Sequence, residues 1–501
     1  MPTHRRISAL FIFAVAAIAG LAEPAAGEAG ADEITLDDAI RRALAKNFSI
    51  QVQGFDAAIA AARVTEALGK FDPALNGSYT FSQDRNPLLS FTPAGQRNTT
   101  VDQVDTYDVS VGGLLPWGMT YRLGASTTNA RGTFNAYADN YESFAGASGS
   151  LPLLRNFGFG PTLASIRIAM ANRGISAWQY RAAAIDLITA VTFAYHDLNL
   201  AYANLRSAIR SRELAASLLA ENEKRFRVGS MSEFDVNSAR SRVANREEAI
   251  LLAQRAVGVA ENALKQLITD ERSPALLQRR LVIVPPPTPP IVVVDAAADF
   301  RTALAQRPDY AQARLALQRD GINARLQRNQ LLPRVDLVGS YGYNGYDAER
   351  AVSRHQVQDQ EYKSYSWGVV VSVPLSLTTE RGRYRAARLQ QRQSETELAR
   401  IEQDIVVRVG NAAGQIETTQ QRIQAAREAR ALAQTILDAE VKRLRAGQSS
   451  TFFVLQQQEI VSSLEVSESR ALSDYAKALA EYDRQLGVTL ERLRITVEPP
   501  R

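Results

Sequence analysis

Two stretches of this chain, residues 161–228 and 379–446, are each 68 positions long and contain no proline beyond Pro161 at the very start of the first. In the first, Leu187, Val191, Ala194, Leu198, Ala201, Leu205 and Ile209 step by fours and threes. In the second, Ile401, Ile405, Ala412, Ile416, Thr419 and Ile423 keep a similar register. An apolar spacing near 3.5 residues makes a coiled-coil seam. At 1.5 Å per residue, such a helix reaches about 100 Å. Globular helices average about 11–12 residues, so helices this long need a partner along their whole length. The segments 231–269 and 451–487, each following a glycine break, supply return helices. The chain is committed to long hairpins before any other element is placed.

The hairpins come twice because the sequence repeats itself. Ala43-Leu44-Ala45 recurs as Ala303-Leu304-Ala305, and Pro73 as Pro333, both 260 positions later. Pro152 recurs as Pro374 after 222 positions, and Gly229 as Gly447 after 218. The first half therefore holds about 38 extra residues between its proline landmarks. The expected division is a signal peptide (1–31), a first repeat (32–280), a proline-rich linker (281–298), a second repeat (299–490) and a tail (491–501). Each repeat runs from a shorter helix, Leu36–Leu68 or 299–331, through strands at 74–151 or 334–375, to its long helix and return helix. The prolines of Leu281 to Val294 favour extended chain and exclude helix there.

The strand regions alternate with period two. Leu75, Gly77, Tyr79 and Phe81 share one face, as do Val335, Leu337, Gly339, Tyr341 and Tyr343, and Trp367, Val369, Val371 and Val373. Segments of about 10 residues with one apolar, aromatic-rich face fit membrane β-strands, and equally a soluble sandwich. The 38 extra residues hold two further strands, Tyr107–Leu115 and Tyr121–Thr128, between long polar loops at 85–103 and 129–142. This hairpin at 104–128 either joins a barrel or projects from it.

The N-terminus separates these options. Arg5 and Arg6 precede an apolar run, Ile7 to Leu21, and small residues follow, with Ala29-Gly30-Ala31 or Ala25-Ala26-Gly27 as cleavage sites. That is a secretory signal, and about 15 apolar residues are short for a span. No later run approaches a transmembrane helix, so an exported chain enters a membrane only as a closed barrel. With no cysteine among 501 residues, disulfides, thiolate metal sites and thiol nucleophiles are excluded. His4, His196 and His355 lie far apart without ligand spacing, and no phosphate-binding loop follows a strand. No enzyme, cofactor or metal site is expected. A net charge of +5 without a basic, aromatic-rich cluster excludes nucleic acid as a partner.

The order of these parts resembles the TolC-type outer membrane efflux family over essentially the whole mature chain. "RFRVGSMSEFDVNSA" looks like that family's first hairpin tip and "RLRAGQSSTFFVLQQ" like its second. The resemblance implies a homotrimer in the outer membrane of a Gram-negative bacterium, with a large periplasmic portion. Three chains would close one β-barrel, usually of 12 strands, continuous with a periplasmic α-helical coiled-coil barrel. With the extra hairpin the count would be 18. The implied function is the exit duct of a tripartite efflux or type I secretion system, working with a periplasmic adaptor and an inner-membrane transporter. The alternative is a periplasmic coiled-coil structural or adaptor protein without channel activity.

At the tips, glycine tolerates the left-handed turn that ends one helix before the chain reverses. Arg225, Arg227, Arg443 and Arg445 complement helix C-termini, and Ser230 with Glu233 has capping-box spacing. The resemblance assigns adaptor docking to Val228, Gly229, Ser230, Ala446, Gly447 and Gln448. It also locates a gate. Asp235 matches an aspartate that, in the best-known member, pairs with an arginine of the other tip, but Ser449 stands where that arginine would be. Phe453 and Gln456 stand where that member has an acidic constriction ring. The expectation is an aromatic, dewetting constriction at Phe453.

Overall fold

In the computed structural model, residues 32–88, 98–287, 289–446 and 448–498 are described. The expected signal segment and Gly447 lie outside them. The chain opens with β1 (Asp32–Ile34), α1 (Leu36–Lys46) and α2 (Phe48–Leu68). Four strands follow: β2 (Ala74–Leu88), β3 (Asn98–Leu114), β4 (Thr120–Gly132) and β5 (Tyr141–Pro152). A short α3 (Phe159–Thr162) leads into α4 (Ala164–Arg227), which returns as α5 (Glu233–Ile268). After α6 (Ala275–Gln278) and β6 (Leu281–Ile283) come α7 (Ala296–Gln306) and α8 (Pro308–Asn329). The remaining elements are β7 (Arg334–Asp347), α9 (Arg350–Gln358), β8 (Tyr362–Ser372), α10 (Thr378–Arg445), α11 (Thr451–Leu486) and α12 (Thr489–Arg492).

Several expectations need correcting. The shorter helices are each broken. Asn47 and Arg307 leave the helix with φ −65° and ψ near 128°, and each backbone N–H still bonds the alanine carbonyl four residues back, Ala43 or Ala303. Pro308 forces the second break, because its ring disfavours helix at the residue before it. Asn47 makes the first by turning its side chain to cap Ser49 N–H. The proline-rich linker begins with a strand, β6, which pairs in parallel with β1. Tyr195 of α4 seals that strap by donating its buried hydroxyl to the Ile34 carbonyl at 3.0 Å.

One sheet holds six strands in the order β2-β3-β4-β5-β7-β8, not the four per chain of a 12-strand barrel. The extra hairpin does not project. Its strands β3 and β4 lie inside the sheet, and the expected loops are strand at 85–88, 98–103, 129–132 and 141–142, with pairing out to Leu88–Asn98 and Asp102–Gly132. Polar side chains suggest loop at these positions, but antiparallel pairing satisfies the backbone groups whatever the side chains.

Every register pairs odd-numbered residues with odd-numbered ones, from Leu75–Val111 through Val111–Leu123, Leu123–Ala147 and Ala147–Tyr341 to Tyr341–Tyr365. One face of the whole sheet is therefore built from odd positions. It leaves Leu75, Val109, Leu123, Tyr365, Trp367, Val369 and Val371 exposed. The even face carries Asn76, Ser78, Ser110, Ser126, Ser340 and Ser366 in the same rows.

Below the sheet the helices pack pairwise, α4 on α5 and α10 on α11, with α11 also against α4. Helix α8 lies between α4 and α10, whereas α2 packs on α4. Val191, Leu198, Ile405 and Ile416 of the expected seams are buried. No helix among the described residues is long and apolar enough to cross a membrane.

Candidate functional site

The far ends of the two hairpins lie beside each other, and local chemistry dictates each reversal. Helix α4 ends through a glycine with φ +74° at Gly229. Gly229 N–H bonds the Phe226 carbonyl at 2.9 Å, and Ser230 N–H reaches back to the Arg225 carbonyl at 2.9 Å. This is the glycine-closed C-terminus that satisfies orphaned carbonyls. The second tip repeats the long bond, with Gln448 N–H on the Arg443 carbonyl at 2.9 Å, while Ala446 N–H bonds the Lys442 carbonyl. Val228 is 77% exposed, an apolar side chain at the outermost point of the first hairpin.

The capping box lies two residues later than expected. Ser232, not Ser230, is the N-cap of α5, accepting Asp235 N–H at 3.2 Å while Asp235 reaches back to Ser232 N–H. Ser230 instead donates its hydroxyl to the Arg225 carbonyl. An aspartate three residues after a serine satisfies both donors reciprocally, and Glu233 lies too close to do so. Asp235 is thus engaged by its own helix start. Ser449 donates to Glu440 of α10, again within its own hairpin. Asp235 and Ser449 are therefore each held by their own hairpin.

Other residues join the two hairpins. Arg246 of α5 forms an ion pair with Glu459 of α11, and the Arg242 guanidinium lies 5.2 Å from the Phe452 ring centroid. These four groups, with Leu214, Leu218 and Gln456, line a cavity of about 310 Å³ between α4, α5 and α11. Further up, Ser207 and Ser462 share a hydrogen bond of 2.8 Å, and Arg210 lies 3.3 Å from Glu465. Phe453 takes no part in this seam. It touches Phe452 edge-on at 5.6 Å between ring centroids and is 52% exposed on a side that neither hairpin covers. Sequence reasoning singled out Gln456 and Phe453 but missed Arg242, Arg246, Phe452 and Glu459. Their helical spacing, i to i+4 in α5 and i to i+7 in α11, was the available clue.

Higher on the same seam His196 is buried between the hairpins, its carbonyl accepting the Ser473 hydroxyl at 3.3 Å. Burial, and then the nearby Lys477 ammonium, push its imidazole down to about 4. No group of His, Asp or Glu able to hold a metal ion occurs among the described residues.

The family profile described as outer membrane efflux protein matches residues 39–269 and 300–488. A curated relative, outer membrane efflux protein BepC of Brucella suis biovar 1 (strain 1330), is 24% identical over 282 residues, 54% of this chain. That alignment spans 57% of the relative, little more than half its length. Among solved structures, the CmeC outer membrane channel of Campylobacter jejuni superposes with a TM-score of 0.63 at 16% identity, covering 91% of this chain and 86% of that one. The outer membrane protein VceC of Vibrio cholerae gives 0.64 at 15% identity, over 90% and 96% of the two chains. The open state of the Neisseria gonorrhoeae MtrE outer membrane channel gives 0.59 at 19% identity, over 91% and 89%.

Proposed function

The chain belongs to the outer membrane efflux protein family, and from that membership we propose that it is the exit duct of a tripartite efflux or type I secretion assembly. The observation that carries this reading is the odd-numbered face of the sheet. Its central rows, Leu75, Val111, Leu123, Ala147, Tyr341, Tyr365 and Gly77, Val109, Ala125, Ala145, Tyr343, Lys363, contain one charge in twelve residues. Such a band has no place in water but suits lipid, whereas the serine- and glycine-rich even face suits a water-filled lumen. A periplasmic adaptor would have no use for it.

Three copies remove the open edges at β2 and β8, which a lone sheet would expose. Six strands from each copy give a barrel of 18, and diameter grows roughly linearly with strand number. The lumen would be about half again as wide as that of a 12-strand barrel. The paired helices would close a periplasmic tube below, each copy contributing two near-equivalent repeats, 32–280 and 299–490. Residues 1–31 would be the signal for export.

At the entrance, Val228, Gly229, Ser230, Ala446, Gly447 and Gln448 would dock the periplasmic adaptor, which connects to an inner-membrane transporter. Phe453 would form the constriction, with Gln456 beside it, in place of a carboxylate ring. Asp235 and Ser449 would act there only as caps of their own hairpins, and the Arg246–Glu459 pair would join the tips instead. Planar-bilayer recording of the purified protein tests this. Discrete trimer currents that rise in Phe453→Ala and resist block by trivalent cations are expected. A protein that neither fractionates with the outer membrane nor conducts would refute the duct.

A further inference from the structure

We infer that the outer side of α8 and α10, just below the sheet, is a binding surface for anionic phospholipid of the periplasmic leaflet, held through its phosphate group. The inference rests on the barrel reading above. Six arginines carry it: Arg325 and Arg328 in the last two turns of α8, and Arg381, Arg385, Arg388 and Arg392 near the start of α10. All six are exposed, and none of their guanidinium groups has an ion pair or hydrogen bond among the described residues. The four on α10 follow one another at intervals of four, three and four, which makes them a single stripe.

Both groups point to one side. Helices α8 and α10 are joined through the antiparallel strands β7 and β8, so they run antiparallel, and Ser394 donates to Asp320 at 2.6 Å across their seam. Ala324, four residues after Asp320, and Ala387, seven before Ser394, are buried on the same seam. Arg325 and Arg388 are the next residues. In an antiparallel pair, one step of about 100° from the seam leads to the same side on both helices. That side is away from the lumen. Gln330, with Ser372 and Pro374, lines a cavity of about 780 Å³ beneath the even face of the sheet. Around α8, Arg328 and Arg325 are turned about 160° and 140° from Gln330. The arginines thus continue the odd face, which reaches α10 through exposed Val371, Val373 and Leu375.

An apolar band followed by guanidinium groups meets first the acyl chains of a leaflet and then its phosphates. Guanidinium binds phosphate oxygens in pairs, and a zwitterionic headgroup would bring its own ammonium beside the arginines, so a net negative headgroup is preferred. Helix formation does not call for Arg381, whose charge in the first turn of α10 opposes the helix dipole. The attraction fades within about 8 Å of the lipid surface at physiological salt. Arg392 lies about 16 Å beyond Arg381 along the helix, so the upper arginines do the binding.

Native mass spectrometry of the full-length protein in detergent, titrated with phosphatidylglycerol or phosphatidylcholine, tests this. Phosphatidylglycerol should bind more tightly, by about fivefold for each arginine its headgroup meets. Arg381→Gln with Arg385→Gln should lose at least fivefold of that affinity, Arg381→Lys with Arg385→Lys should keep most of it, and Arg392→Gln should change it less than twofold. Arg325→Gln with Arg328→Gln is the second variant, in case the first does not assemble. Displacement of the lipid by millimolar inorganic phosphate would make this a free-anion site and overturn the lipid assignment. Equal affinity for the two lipids, in protein that still conducts in planar bilayers, overturns this surface and leaves the duct intact. A protein that neither conducts nor retains either lipid overturns both.

Discussion

Acidification should loosen the seam between the hairpins through His196. The ring is 6% exposed, edge-on to Tyr195, with Lys477 nearby. In the folded chain it stays neutral down to about 4, whereas the unfolded chain takes up its proton near the ordinary 6.5. The folded value is depressed, so the unfolded state binds more protons between these limits. The stability His196 supplies is full above about 6.5 and is lost as pH falls towards 4. Within that window each pH step of one costs about 1.36 kcal/mol, so at pH 5 the loss is about 2 kcal/mol per chain. The assay is denaturant unfolding of the detergent-solubilised protein at pH 7.5 and pH 5.0, for wild type and His196→Gln. The substitution costs packing at both values, but the difference between them isolates the proton. Wild type should lose about 2 kcal/mol more than the variant on acidification. Equal losses in both proteins would refute the reasoning.

Three further outcomes follow from the geometry. Val369→Arg, on the odd face of the sheet, should cost about 2–4 kcal/mol if it lies at mid-membrane, and reduce outer-membrane recovery. Ser366→Arg, on the even face, should assemble normally and alter conductance, which bilayer recording would reveal. Ser232→Ala should destabilise the first tip by about 1 kcal/mol through loss of the α5 cap, read as faster local hydrogen exchange at residues 233–236, while Ser230→Ala should not. Arg246→Ala should raise the open fraction of reconstituted channels by removing its ion pair with Glu459, and Arg246→Lys should restore part of the closed state.

Much of this molecule was legible in its letters. A seam at spacing near 3.5, the absence of internal proline and a glycine at each reversal dictate long hairpins, because each acts within a few residues of backbone. Odd–even alternation from Leu75 to Phe81 and from Trp367 to Val373 dictates which face is apolar, because side chains alternate across any strand. The family resemblance was legible in the order of these parts. What lay out of reach depended on partners distant in sequence. The strands continue through Asp84 and Gln103 because the neighbouring strand, not the side chain, supplies their hydrogen bonds. Asp235 caps its own helix because Ser232 sits at the right spacing, which leaves it no role with Ser449. The contact of Arg246 with Glu459, some 210 positions apart, exists only because α11 packs across α4. Local chemistry chose the elements. Only the packing of one hairpin on another decided which charges meet, and which apolar stripes were left bare.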